Sequence, residues 1–102
     1  MLAPAAYHRK CLRRSLGCWM DEPARAIAGG IRLHSDNLDD CQKYATDHGY
    51  SVFAVQYNTE CFTAEDAQET YKIYGVSSVC DPNGRGGSWS QNVYEVVCEP
   101  RK

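Results

Sequence analysis

The chain has 102 residues, a formal net charge of −2 and a pI of about 5.8. This length fits one domain, and the near-neutral charge argues against nucleic acid as the main partner, because phosphate binding needs a concentrated basic face. The sequence contains no apolar run of the roughly 18 to 20 residues that a membrane-spanning helix needs, so we predict no membrane insertion.

The first ten residues, MLAPAAYHRK, are too short and too polar to be a signal peptide with its apolar centre. We interpret residues 1–10 as a flexible arm of a mature chain from which a leader has been removed. Residues 11–98 form the single predicted domain, and residues 99–102 form a C-terminal tail.

Six cysteines are spread along this small chain, and their even number favours a disulfide framework in an oxidising compartment. No pair has the spacing of a structural zinc site, and the histidines form no second ligand pair, so we predict no metal or cofactor. Fifteen connectivities are possible. Position along the chain favours Cys11–Cys98 at the two ends, Cys41–Cys61 between a helix and a hairpin, and Cys18–Cys80 as the remaining pair.

The first predicted elements are a strand, a loop and a helix. The run SLGCWMD predicts a short strand, and EPARAIAGG, with its proline and paired glycines, predicts a loop. A helix is predicted within SDNLDDCQKYATDHG, where residues 35–37 offer a cap and Asp39 and Asp40 occupy the first turn. Apolar spacing places Cys41 on the inward face, and Gly49 suits the left-handed position that ends a helix.

The run YSVFAVQYNTECF predicts a hairpin whose residues alternate between two faces. A second helix is expected to follow, with a capping box from Thr63 to Asp66 and an end at Gly75. A glycine-rich loop and a last strand, NVYEVVC, complete the chain. The hairpin faces are Val52, Ala54 and Gln56 on one side and Phe53, Val55 and Tyr57 on the other, with Asn58-Thr59 as the turn. These elements predict an α+β domain with helices packed on an antiparallel sheet.

Two runs, LGCWMDEPARAIAGG and GYSVFAVQYNTECF, resemble the WSC domain, and the likeness covers about residues 16–98. The chain resembles secreted WSC-like modules of marine invertebrates more closely still. The residues that carry this likeness are Phe53 to Gln56, Cys61-Phe62, Thr70 to Gly75, Gly86 to Trp89 and Asn92 to Tyr94. The terminal cysteines resemble those of apple/PAN domains. A WSC domain usually has eight cysteines, with a Cys-x-Cys-Gly after the Glu, whereas here Cys61 is followed by Phe62-Thr63 and no second cysteine. The resemblance implies a helix on a small antiparallel sheet, an extracellular location and a carbohydrate-binding role.

The residues favour binding over catalysis. Cysteines in disulfides are not nucleophiles, the acids near residues 39 and 66 suit helix starts, and NGRGG lacks the features of a phosphate-binding loop. Sugar sites use an exposed ring beside a few polar groups. Trp89, with Arg85 and Asn92 nearby, fits this pattern best, although Trp89 can also fold back over the core.

Two further candidate ligand contacts flank the hairpin turn, namely Gln56 and Tyr57. Gln56 is polar within an apolar strand and points either at a ligand or at a neighbouring loop. Trp19 is expected in the core. Arg25 either has a functional role, as the WSC resemblance implies, or pairs with a helix carboxylate and holds its loop, and the second is favoured. The leading hypothesis is a secreted, non-catalytic module that binds a glycan, a glycoprotein or matrix. The alternative is a secreted effector, such as a signal, toxin or inhibitor, that acts by protein–protein contact.

Overall fold

The computed structural model describes residues 10–28, 38–57 and 60–100. Within these ranges the chain forms a four-stranded antiparallel sheet with the order β1-β4-β2-β3 and two short helices, which confirms the predicted small, disulfide-rich α+β fold. The elements are β1 (Cys11–Met20), α1 (Leu38–Asp47), β2 (Val52–Gln56), β3 (Glu60–Thr63), α2 (Ala67–Thr70) and β4 (Ser90–Cys98). The predicted arm up to residue 9, the helix cap at 35–37 and the Asn58-Thr59 turn lie outside the described residues.

Helix α1 covers one face of the sheet, and α2 with the loop after β1 covers the other. We call these the α1 face and the α2 face. The central strand β2 is buried on both, as its predicted alternation requires. On the α2 face the buried residues are Ile27, Val52, Ala54, Phe62, Ala67 and Val93, against which Trp19 packs as expected; on the α1 face they are Cys41, Ala45, Phe53, Val55, Cys61 and Tyr94.

Helix α1 follows its sequence signals. Asp39 and Asp40 stand in its first turn, where their charges complement the helix dipole, and Cys41 and Ala45 are its buried residues. Gly49 has a φ of 74°, so it supplies the left-handed residue after the helix.

Helix α2 is shorter than the predicted second helix, and the capping box is wrong. Thr63 belongs to β3, and its hydroxyl donates to the Val52 carbonyl at 2.7 Å instead of capping a helix. Asp66 occupies the N-cap position without a side-chain hydrogen bond, and the helix ends at Thr70. Strand pairing outcompeted local capping because Thr63 lies opposite Phe53 in the β2–β3 ladder.

All three proposed disulfides are present: Cys11–Cys98, Cys18–Cys80 and Cys41–Cys61. The first joins directly opposite residues of β1 and β4, and the third staples α1 to β3. Three disulfides in so small a domain are typical of extracellular proteins. Within the described ranges, no helix has both the length and the apolar character to cross a membrane.

Candidate functional site

A groove lies where β2 ends and β4 begins, at the end of the sheet far from the Cys11–Cys98 bridge. Its volume is about 280 Å³. We call it the aromatic groove, because two of its residues present exposed rings. It is lined by Arg25, Gln56, Tyr57, Glu60, Ser88 and Trp89.

The floor of the groove includes Gln56 and Glu60, which belong to a row of polar side chains on the α2 face. Gln56 lies opposite Glu60 on β3 and opposite Gln91 on β4, and directly opposite residues point to the same face of a sheet. Gln56 and Gln91 are both buried, at 3% and 1% exposure. The apolar core of the α2 face therefore ends at buried polar side chains, which need hydrogen-bond partners.

Asp21 is the polar centre beneath this floor. It is only 3% exposed, and its Oδ1 accepts the Ala26 backbone N–H at 2.9 Å. Its Oδ2 accepts from Arg25 Nη1 at 2.8 Å. The Gln56 amide completes the network in the orientation that satisfies both its polar atoms: it donates to Asp21 Oδ2 and accepts from Arg25 Nη1, each at 3.0 Å.

Arg25 links this polar network to the aromatic rim. Its guanidinium carbon lies 4.9 Å from the centre of the Trp89 ring and 5.1 Å from that of Phe62. Such cation–π contacts are strongest where water is partly excluded, and the Arg25 side chain is 29% exposed. The Asp21 backbone N–H also donates to the Trp89 carbonyl at 3.0 Å. Asp21 and Arg25 thus fix the backbone and the ring of Trp89 together.

Tyr57 and Trp89 share an unusual backbone conformation. They are the non-glycine residues with positive φ in the described part of the chain, at 56° and 51°. Their rings are also exposed, at 65% and 46%. A left-handed backbone is unfavourable for a bulky residue, and such strain is concentrated at binding sites. Tyr57 and Trp89, the two aromatic residues with this strained backbone, both line the aromatic groove.

We expect Tyr57→Asn to raise the free energy of unfolding by about 0.5 to 1 kcal/mol, because asparagine tolerates the left-handed region and the exposed ring buries little surface. Urea denaturation measures this change. Tyr57→Ala is the matched control: it removes the same ring without that tolerance and should bring no gain. Equal stabilities of the two variants would contradict strain at this position.

Two close approaches hold the loop that carries Trp89. A Cβ on Gly86 would meet the Val55 carbonyl oxygen at 2.4 Å, so only glycine lets the loop run against the end of β2. The Gly86 N–H donates to Asn92 Oδ1 at 2.7 Å. Tyr94 donates its hydroxyl to the Gly84 carbonyl at 2.6 Å, and burial raises the pKa of Tyr94, which favours the protonated donor.

Three of the five predicted ligand contacts come together here: Gln56, Tyr57 and Trp89. Arg85 and Asn92 do not line the groove, and the Asn92 side chain holds Gly86, so ligand contact by these two stays a prediction. Trp89 is 46% exposed and its ring lies against Arg25, so ligand contact by Trp89 stays a prediction. The expected partner of Arg25 is wrong: it is Asp21, before the loop, and not a helix carboxylate.

Asp21, Glu60 and Ser88 are site residues that sequence reasoning missed. Asp21 is the last residue of the predicted strand SLGCWMD and precedes Arg25 by four residues, a spacing that could have suggested the pair. Glu60 was recognised only as part of the hairpin. Among residues 10–28, 38–57 and 60–100, no three His, Cys, Asp or Glu side chains come together as a metal site.

Comparisons with known proteins add one relative. No protein-family profile matches the chain. The chain is 34% identical over 93 aligned residues to the xylosyltransferase oxt of Drosophila pseudoobscura pseudoobscura. The alignment includes 80% of this chain but spans only 10% of that enzyme's length. The chain is therefore similar to a small segment of a much longer protein.

Proposed function

We propose that this chain is a secreted, non-catalytic recognition module of the WSC type that binds carbohydrate in the aromatic groove. The observation that carries the proposal is the pair of exposed rings, Tyr57 and Trp89, held by left-handed backbone beside a polar floor. Sugar rings present apolar C–H faces that stack on aromatic side chains, while their hydroxyls need polar partners. The groove offers both kinds of group.

The chemistry of the groove supports binding without catalysis. Both carboxylate oxygens of Asp21 already accept hydrogen bonds, one from the Ala26 N–H and the other from Arg25 and Gln56. Asp21 therefore holds neighbouring groups of the protein in place. General acid–base catalysis needs a group that can reach the reacting atoms, and Asp21 is buried beneath the floor. All six cysteines are in disulfides, which removes them as nucleophiles.

Similarity to a segment of a xylosyltransferase supports a carbohydrate context. The matched segment is a tenth of that enzyme, a size that suits an accessory module. We propose that this chain shares carbohydrate recognition with that segment and not the transfer of xylose. The WSC resemblance of residues 16–98 points to the same role.

Replacing Trp89 with alanine is the direct test. Hot-spot aromatics dominate small interfaces, so we expect Trp89→Ala to weaken binding to the glycans that the native chain selects on an array by about tenfold or more. Calorimetric titration gives the dissociation constants. The free energy of unfolding should fall by only about 1 kcal/mol, since the loss is mainly one partly exposed cation–π contact.

The matched control is Tyr44→Ala. Tyr44 of α1 stacks on His48, which directly follows the helix, outside the groove, and the loss of Tyr44 should leave glycan binding unchanged. Binding that resists Trp89→Ala, or that falls equally with Tyr44→Ala, would contradict the groove as the site. A native chain that selects no glycan at all would contradict the proposed function itself.

The alternative, a secreted effector that acts through protein contact, rests on a different surface. Ile73, Val76 and Val79 are 57%, 70% and 63% exposed within seven residues of chain, and grouped exposed apolar side chains are typical of protein-binding surfaces. A protein partner lost on Val76→Ser but kept on Trp89→Ala, with no glycan bound, would favour this alternative.

A further inference from the structure

Gln91 of β4 is a buried amide whose polar atoms have no hydrogen-bond partner among the described residues. Its side chain is 1% exposed, yet neither Oε1 nor Nε2 takes part in a hydrogen bond there. Thr70 and Arg85 each have one such buried atom, but both of these residues are partly exposed. Gln91 differs because its whole polar group is enclosed. A buried amide left unpaired is unfavourable, since it has lost its hydrogen bonds to solvent and gained none in exchange.

The neighbours of Gln91 on the α2 face use polar groups of their own elsewhere. Trp19 of β1 and Gln56 of β2 stand directly opposite it. The Trp19 Nε1–H donates to the Leu16 carbonyl at 2.8 Å, so the indole has no donor left for Gln91. Gln56 uses one N–H and one oxygen lone pair in the network around Asp21. Because a primary amide has two N–H donors and two oxygen lone pairs, Gln56 keeps one of each to spare.

The chemistry of the amide defines the kind of molecule that can pair with Gln91. The side chain offers a donor and an acceptor next to each other, so an anion, which only accepts, or a cation, which only donates, would leave one of the two atoms unpaired. A residue that is 1% exposed has no surface on which a sugar ring could lie. Water both donates and accepts, and it is small enough to share the interior with buried polar groups.

We propose that Gln91 holds a buried water molecule that connects its amide to that of Gln56. Buried waters typically make about three hydrogen bonds to polar groups that are otherwise unsatisfied. Gln91 supplies an acceptor in Oε1 and a donor in Nε2, and the spare N–H or lone pair of Gln56 supplies the third contact. The water thereby joins β4 to the network of Asp21 and Arg25 that holds Trp89. This site does not depend on carbohydrate binding.

Nuclear magnetic resonance of the native, oxidised chain provides the direct test. A water that leaves its site more slowly than the protein tumbles gives laboratory-frame and rotating-frame Overhauser peaks of opposite sign with the protons beside it. We expect such a pair of water peaks at the side-chain NH2 of Gln91. The NH2 of Gln68 is the internal control, because Gln68 is exposed on α2 and should show only the weak peaks of rapidly exchanging surface water.

Oxygen-17 relaxation dispersion counts the long-lived waters and supplies the second test. Gln91→Met removes both polar atoms but keeps an unbranched side chain of similar length, so this variant should lose one long-lived water. A chain of 102 residues is expected to hold about four buried waters, so the dispersion amplitude should fall by about a quarter. Gln68→Met makes the same change at an exposed residue and should lose none. We expect Gln91→Met to fold, because an apolar side chain of similar shape needs no partner.

The possible outcomes separate the water site from the proposed function. Peaks of a long-lived water at Gln91, with one water lost in Gln91→Met and none in Gln68→Met, support the site whether or not a glycan binds. Surface-water peaks, or no water peak, at the Gln91 NH2 of the native chain overturn the site, even where Gln91→Met fails to fold. Equal water counts in the native chain and in folded Gln91→Met overturn it as well. A chain that selects no glycan overturns the proposed function and leaves the water site standing.

Discussion

Replacing Asp21 with alanine is expected to lower the free energy of unfolding by about 3 kcal/mol and to weaken groove binding as strongly as Trp89→Ala does. Removing one partner of a buried ion pair typically costs about 3 to 5 kcal/mol, because the other charge is left without compensation. The lower figure applies because the Arg25 side chain is 29% exposed and can regain some water. Gln56 and the Ala26 N–H also lose their acceptor.

Urea denaturation of oxidised protein measures this loss. The natural control is a second acid–base pair with the same four-residue spacing, Lys43 and Asp47 of α1, which is exposed. Asp47→Ala should leave the unfolding midpoint almost unchanged, since exposed pairs contribute little. If Asp21→Ala were as mild as Asp47→Ala, the Asp21 network would not be what holds the rim of the groove.

Removing the Cys11–Cys98 disulfide is expected to lower the free energy of unfolding by about 4 to 5 kcal/mol, because closing a loop with an 87-residue separation strongly restricts the unfolded chain. The double variant Cys11→Ser/Cys98→Ser should still bind glycan at temperatures where it is folded, since the groove lies at the opposite end of the sheet. Denaturation and titration of the same preparation test both statements.

The matched comparison is Cys41→Ala/Cys61→Ala. The Cys41–Cys61 bridge closes a 20-residue separation, so chain entropy predicts that its removal lowers the free energy of unfolding by about 3 kcal/mol. Cys41 and Cys61 are also buried in the core of the α1 face. Loss of binding in the Cys11/Cys98 variant while it remains folded would show that the two ends of the sheet are coupled.

Much of the framework could be predicted because its signals are local or follow from chain order. The spacing of Cys41 and Ala45 placed one helical face inward, and strict alternation assigned Phe53 and Val52 to opposite faces. Cys11 and Cys98 could be paired from their positions alone. Each of these inferences depends on periodicity or on the ends of the chain, and tertiary contacts reinforced all of them.

The site was only partly predictable, because its decisive contacts come from separate parts of the chain. Trp89 was predicted in a loop and Tyr57 on a face of the hairpin beside its turn, but nothing in the local sequence signals a left-handed backbone at a bulky residue. Arg25 meets Gln56 only after the loop folds over the α2 face. The late start of the second helix also depends on a contact between separate parts of the chain, because Thr63 pairs with Phe53 in the sheet.

The bridge between Cys11 and Cys98 has a mechanical consequence. These residues lie directly opposite each other on adjacent strands, with the Lys10 carbonyl accepting the Glu99 N–H just beyond them. A force that pulls the two ends apart would pass from one strand to the other through the sulfur–sulfur bond and leave residues 12–97 unloaded. In the oxidised state the groove would keep its shape under tension. After reduction, the same force would unzip β1 from β4 one residue pair at a time.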